Sequence, residues 1–272
     1  MIGFRPYSDN IKMIRKMQEA VRHYDSLGNP LEAVLSIPKN SSSVVILSHG
    51  FTSNKNSRLY TELESSLNGV GIGTVRYDYF GHGPAYGHTG YAVSNDTTLT
   101  KALESLRAVI TLVKSKGKFN IGLLGSSFGG LLSLIIASQD QDIKALALKS
   151  SVTDPKQFWR GRLGRKKIED WRRDGVIQVT QDIVDYNLRY NYWADLKKYK
   201  ILDMAKNIKC PVLVIHGEKD TCVPINQSQE LAKVLHIDVK VVKGADHSYS
   251  NPEQYKEIKQ MIHDFFVREL AH

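Results

Sequence analysis

The chain has 272 residues, of which 42% are hydrophobic and 24% charged, a balance that excludes wholesale disorder. Its longest apolar stretch, Leu131 to Ala137, is far short of the ~20 residues needed to span a bilayer. Lys and Arg outnumber Asp and Glu by 37 to 28, a formal net charge of +9, and two cysteines supply no disulfide framework.

The opening MIGFRPYSDNIK lacks an apolar block followed by small residues, which argues against a secretory leader. Cys210 heads an apolar run and Cys222 follows its end, so an extended strand would hold them apart. Together these features predict a reduced, cytoplasmic protein with no transmembrane segment.

Ile11, Ile14, Met17 and Val21 fit a helical period, yet the turn signal DSLGNP (25–30) followed by apolar residues at 34–37 favours a hairpin, with a strand over 17–24. Buried strands are predicted for VVILS (44–48), IGTVRYD (72–78), IGLLGS (121–126), ALALKS (145–150), PVLVIHG (211–217) and VKVVKG (239–244). Amphipathic helices are predicted over 57–67, 98–116, 128–138, 226–235 and 252–270. Strands alternating with helices give an α/β fold, with a mostly parallel sheet covered on both faces. Residues 152–209 break the rhythm between two strands, and a connection of that length reads as a lid within a single domain. Eight basic residues fall between Lys156 and Arg173 against Glu169 and Asp170, supplying six of the nine net charges. They form either a solvated face or an attractor for an anionic substrate or surface. No nucleic-acid-binding signature accompanies them, so no nucleic-acid partner is expected.

The strongest chemical motif is Gly125-Ser126-Ser127-Phe128-Gly129, a G-x-S-x-G element between a strand and a helix. Ser127 has glycine two residues before and after it; Ser126 would have Leu124 and Phe128, so Ser127 is the candidate nucleophile. A serine hydroxyl needs a base, and on this arrangement the chain order is serine, acid, histidine. His247, in a polar loop after the strand VKVV, is preferred over His216, which ends its own strand, and His263, on the last helix. Asp220 is the candidate acid, preferred over Glu218 and Asp246. The oxyanion would be held by the backbone amides of Phe128, the residue after the nucleophile, and Phe51, in the loop HGFT. His49 is read as a brace for that loop, and Asp78 as a tie to a neighbouring one. Trp159 and Trp171 are candidate substrate-binding residues lining an apolar acyl pocket. His82 and His88 lie in a glycine-rich loop with no cysteine or carboxylate cluster, so no metal is expected.

The segments HGFTSNK, RYDYFGHG, GSSFGG, IHGEKDTCVP and GADHSY resemble those of the α/β-hydrolase fold serine hydrolases. The similarity is greatest to the bacterial cinnamoyl/feruloyl-esterase-like branch, near the serine aminopeptidase-type hydrolases. The resemblance implies a mostly parallel eight-stranded sheet, a helical lid, no cofactor, and a carboxylesterase acting on small or medium acyl, including aryl, esters. The elbow reads Gly-Ser-Ser where many such relatives have Gly-His-Ser, which keeps thioester hydrolysis and acyl transfer open. A non-catalytic ligand-binding relative is the third alternative, set against the presence of all three triad candidates. The sequence is silent on oligomeric state; a homodimer is carried as an expectation only.

Overall fold

The computed structural model describes residues 18–87, 93–181 and 184–271. Ile11, Ile14, Met17 and His88, and with them the expectations about the opening segment, lie outside the described residues.

Eight strands form one sheet in the order β1-β2-β4-β3-β5-β6-β9-β10. They are β1 (Gln18–Tyr24), β2 (Pro30–Ser36), β3 (Ser43–Ser48), β4 (Gly73–Asp78), β5 (Asn120–Ser126), β6 (Ile143–Lys149), β9 (Val212–Gly217) and β10 (Val239–Val242). β1 pairs antiparallel with β2, and β2 antiparallel with β4; from β4 to β10 the pairing is parallel. The hairpin reading of the first segment is thus the one the backbone takes.

Within β3, side-chain alternation sends Val44 and Ile46 to one face and Val45 and Leu47 to the other. The first face is covered by α2 (Leu99–Lys116), α3 (Phe128–Gln139) and α7 (Asn226–Leu235). The second is covered by α1 (Arg58–Gly69) and α8 (Pro252–Leu270). Thr98 caps α2 by accepting from the Lys101 amide at 3.2 Å, and Asn251 caps α8 by accepting from the Glu253 amide at 2.9 Å, with Pro252 at the first helical position. No described helix is long and apolar enough to cross a membrane.

The long connection from β6 to β9 contains α4 (Pro155–Asp174), β7 (Val176–Gln181), β8 (Val184–Arg189), α5 (Tyr190–Leu196) and α6 (Ile201–Ala205). It is therefore not the all-helical segment expected: β7 and β8 form an antiparallel two-stranded sheet. The strands are stabilised by alternation rather than by an apolar run, since Val179, Tyr186 and Leu188 point inward among polar neighbours. Gly164, at φ 73° and ψ 163°, breaks α4 into two pieces. The start of the insertion is tied to the main body. The Val152 amide donates to the Ser127 carbonyl at 3.2 Å, and the Thr153 and Asp154 amides both donate to Oε1 of the buried Gln227, at 2.8 and 2.9 Å.

Candidate active site

β5 runs into α3 through Ser127, which takes φ 52° and ψ −115°. A non-glycine residue there carries strain of roughly 1–3 kcal/mol. The surroundings impose it: the Ser127 amide donates to the Lys149 carbonyl at 2.9 Å, while the Gly130 and Leu131 amides converge on the Ser127 carbonyl at 3.0 and 3.2 Å. The flanking glycines are needed for close approach. A Cβ at Gly125 would lie 2.3 Å from the Gly129 carbonyl oxygen, and one at Gly129 would lie 2.0 Å from the Ser48 carbonyl oxygen. Ser126 is the last residue of β5, paired in register with Lys149, so the sharp turn falls on Ser127.

β9 and β10 deliver the other two residues. Asp220 follows β9, and its Oδ2 lies 2.6 Å from His247 Nδ1; its Oδ1 accepts the amides of Cys222 and Val223 at 2.9 and 2.8 Å. Burial alone would raise the Asp220 pKa; hydrogen bonds from His216, His247 and the Val223 amide outweigh it and hold the carboxyl well below the usual range. An ionised carboxylate only accepts, so His247 Nδ1–H is the donor and Nε2 is left able to accept a proton. His216, at the end of β9, is fully buried: Nε2 lies 3.3 Å from Asp220 Oδ2 and 3.0 Å from the Val223 carbonyl, and Nδ1 is 2.7 Å from Ser228 Oγ. In the sequence, only the four-residue spacing across the strand end marks its contact with Asp220. Glu218 and Asp246 serve the backbone, accepting from the Gly244 amide at 2.7 Å and the Ser250 amide at 3.0 Å. His263 sits on α8 beside Asp264.

The loop after β3 lies against the elbow, since a Cβ on Gly50 would be 3.5 Å from Ser127 Cβ. Phe128 opens α3, where amides have no intrahelical acceptor. The Phe51 and Phe128 rings meet edge to face with centroids 5.1 Å apart. Asp78, at the end of β4, fixes the far side of the loop: it accepts the Lys55 amide at 2.7 Å and pairs with the buried Lys55 ammonium. Arg76 adds a bond to the Lys55 carbonyl at 2.9 Å while paired with the buried Glu64 at 2.7 Å. His49 stacks on Tyr79 at 4.2 Å and donates from Nδ1 to the Gly50 carbonyl at 2.8 Å. Burial pushes its pKa down to about 3, with the Lys55 charge adding to the effect, so it stays neutral.

Two cavities meet at Ser127. A cleft of about 460 Å³ is lined by Ser127, His247, Lys149, Arg58, Tyr60 and Tyr255, among others. Lys149 is buried there, donating to the His247 carbonyl at 3.1 Å beneath the Tyr249 ring; burial lowers its pKa to about 8 despite the charges of Asp220 and Asp246. On the insertion side is an enclosed apolar cavity of about 20 Å³, lined by Phe51, Ser127, Phe128, Phe158, Trp159 and Cys222, among others. Trp171 is not on its wall. It packs 6.0 Å behind Trp159 and donates from Nε1 to the Leu188 carbonyl at 2.8 Å, so it supports the wall rather than forming it. Among the described residues no group of three or more His, Cys, Asp or Glu side chains converges on a metal-sized point.

The model of the prolyl oligopeptidase family matches residues 80–272. The mitochondrial palmitoyl-protein thioesterase ABHD10 of Homo sapiens is 26% identical over 216 residues, 77% of this chain and 68% of that protein. Est1E from Butyrivibrio proteoclasticus, solved with ferulic acid bound, is 26% identical with a TM-score of 0.78, covering 93% of this chain and 100% of that one. The mouse α/β hydrolase domain-containing protein 10, at 20% identity and a TM-score of 0.75 over 92% of this chain and 99% of its own, shares the fold. The chain has the α/β-hydrolase fold and belongs to the prolyl oligopeptidase family of hydrolases.

Proposed function

We propose that the protein is a serine hydrolase that cleaves carboxylic esters of small or medium acyl groups through an acyl-enzyme. Ser127 Oγ attacks the ester carbonyl as its proton passes to His247 Nε2. The Phe51 and Phe128 amides hold the oxyanion of the tetrahedral intermediate. His247 returns the proton to the departing alcohol, leaving the acyl group on Ser127; water, deprotonated by His247, then releases the acid. Asp220 keeps His247 in the tautomer and orientation this requires. The observation that carries the reading is the 2.6 Å bond from His247 to the buried Asp220, in a cleft shared with a serine strained into an elbow.

The apolar lining beside Ser127 supports its use for the acyl group; with a free volume of about 20 Å³, room for little more than one water, the cavity would take even a short chain only as the insertion, closed over it as a lid, gives way. The second reading, thioester hydrolysis, is favoured by the similarity to a palmitoyl-protein thioesterase; a long acyl chain would require the insertion to move.

The test is labelling with a fluorophosphonate, followed by a series of nitrophenyl esters of rising chain length beside the matching acyl-CoA thioesters. Ser127→Ala is expected to lose labelling and at least about a thousandfold of hydrolysis, while Ser126→Ala keeps most of both. Loss in Ser126→Ala alone would move the nucleophile. Preference for thioesters across the series would favour the second reading.

A further inference from the structure

The outer side of the insertion carries a feature that ester hydrolysis does not use. α4 and α5 enclose a groove of about 770 Å³. Its rim holds five cations: Lys156, Arg160, Arg165 and Arg172 from α4, and Lys197 from just beyond α5. Its floor is Ile168, Tyr190 and Trp193, and Glu169 is the carboxylate among the lining residues. Helical spacing explains the convergence: Lys156 and Arg160 are one turn apart before the Gly164 break, and Arg165, Ile168 and Arg172 share a stripe after it.

Carboxylates of α4 and α5 are taken by other residues: Asp170 and Asp174 by Arg173, and Asp195 by Lys198. Among the described residues none of the five has a carboxylate partner. Gathering five like charges around one concavity costs self-repulsion that a bound anion would relieve. Part of the arrangement is also held in place. The Arg160 guanidinium lies 5.8 Å over the Trp193 ring, and Trp193 packs against the buried Trp171 at 6.3 Å.

We propose that this groove binds a compact polyphosphate anion, a ligand carrying a diphosphate or triphosphate group. Five cations against one carboxylate leave an excess of four charges, which a single carboxylate ligand would barely offset. A di- or triphosphate supplies charge of that size in a small volume, and guanidinium forks match its oxygens in pairs. The groove's volume is within the roughly 300–1,000 Å³ of small-molecule sites. A membrane surface fits less well. Val176 is the one large apolar side chain of the insertion that stands exposed among the described residues, so an apolar anchor for the interface is missing.

The experiment is calorimetric titration of the whole chain with sodium tripolyphosphate and, separately, with ADP, without metal, at 0.1 M salt. Four proteins are compared: wild type, Arg165→Gln/Arg172→Gln, that pair with Arg160→Gln added, and a control with Lys144, Lys209 and Lys240 changed to Gln. The control removes as much charge as the triple groove variant from exposed positions elsewhere. The double variant keeps the Arg160–Trp193 contact, so its result does not depend on that packing. Saturable binding by wild type, at least tenfold weaker in the double variant and within twofold in the control, is the expected result. Absence of saturable binding would overturn the proposal, as would equal weakening in the control, which would mean bulk charge. Co-sedimentation with phosphatidylserine vesicles that tripolyphosphate does not compete away would overturn it in favour of a membrane surface.

Discussion

His216 stands behind the candidate triad, its Nε2 3.3 Å from the Asp220 oxygen that also meets His247. The ring lies where burial would otherwise favour the neutral acid, so it helps keep Asp220 ionised. Replacing His216 with Phe removes that donor and leaves Ser228 Oγ without its 2.7 Å partner. The expected outcome is a kcat lower by about tenfold to a hundredfold with KM little changed. The Asp220 carboxyl should also rise toward the ordinary range. Because its folded pKa is depressed, its contribution to stability is present above about pH 4 and is lost as pH falls toward the folded value. In His216→Phe the contribution is smaller and its loss is complete at a higher pH, so stability should decline less steeply below about pH 4 than in wild type, which acid unfolding followed by circular dichroism would detect.

Asp78 should matter to turnover without touching substrate. It fixes the loop that carries Phe51 through the Lys55 amide and the buried Lys55 ammonium. Asp78→Asn leaves that ammonium buried against a neutral group, with Glu32 at 3.3 Å as its remaining carboxylate. A loss of about 3–5 kcal/mol in stability is expected from breaking such a pair. In the protein that remains folded, kcat should fall more than KM rises. Urea unfolding and ester kinetics check both parts.

The small cavity beside Ser127 makes acyl length a structural variable. Phe158 is half-buried on its wall, next to the fully engaged Trp159, whose Nε1 lies 3.3 Å from Tyr192 Oη. Phe158→Ala should open the wall without removing that hydrogen bond. The optimum in a nitrophenyl ester series is expected to move toward longer chains by about two to four carbons, at roughly 0.8 kcal/mol of binding per added methylene. An unchanged optimum would place the acyl group in the larger cleft.

Lys149 gives a signature in alkali. Its folded pKa of about 8 lies below the ordinary lysine value of about 10.4. Between those values the unfolded chain binds more protons, so this group makes the protein more stable as pH rises, by up to about 3 kcal/mol. The relief is complete above about pH 10.4 and absent below about pH 8. Lys149→Met should lack it. Urea unfolding of both proteins at pH 7.5 and 10 isolates the difference from the tyrosines, which titrate in each.

The elbow was legible because glycines two residues either side of Ser127 leave one register, and the close approaches at Gly125 and Gly129 are the physical reason those glycines are there. The meeting of Asp220 and His247 follows from their places after adjacent parallel strands. The insertion was far less legible. β7 and β8 alternate with polar residues and carry no apolar run, so composition concealed them. Trp171 and Trp159 look equivalent in sequence, which cannot tell the wall of a cavity from the layer behind it. The groove joins α4 to residues around α5 that are some twenty or more positions away, and only the crossing of two helices brings them together. His216 escaped because its role depends on facing inward at the end of β9.

The peptide oxygen of Ser127 is shared with the first residue of the insertion, and the next two residues are clamped to Gln227. The base of the insertion therefore behaves like the built-in end of a cantilever. Swinging it there would pull on the strained Ser127 and disturb the elbow on which its proposed role depends. Flexure belongs further out, at Gly164, where α4 is already broken. Access to the site can thus change through residues beyond that break while Ser127 and the cavity wall at Phe158 and Trp159 stay still, so sequence drift that retunes entry should gather in the outer half of the insertion, and drift that retunes acyl length in the stretch between root and break.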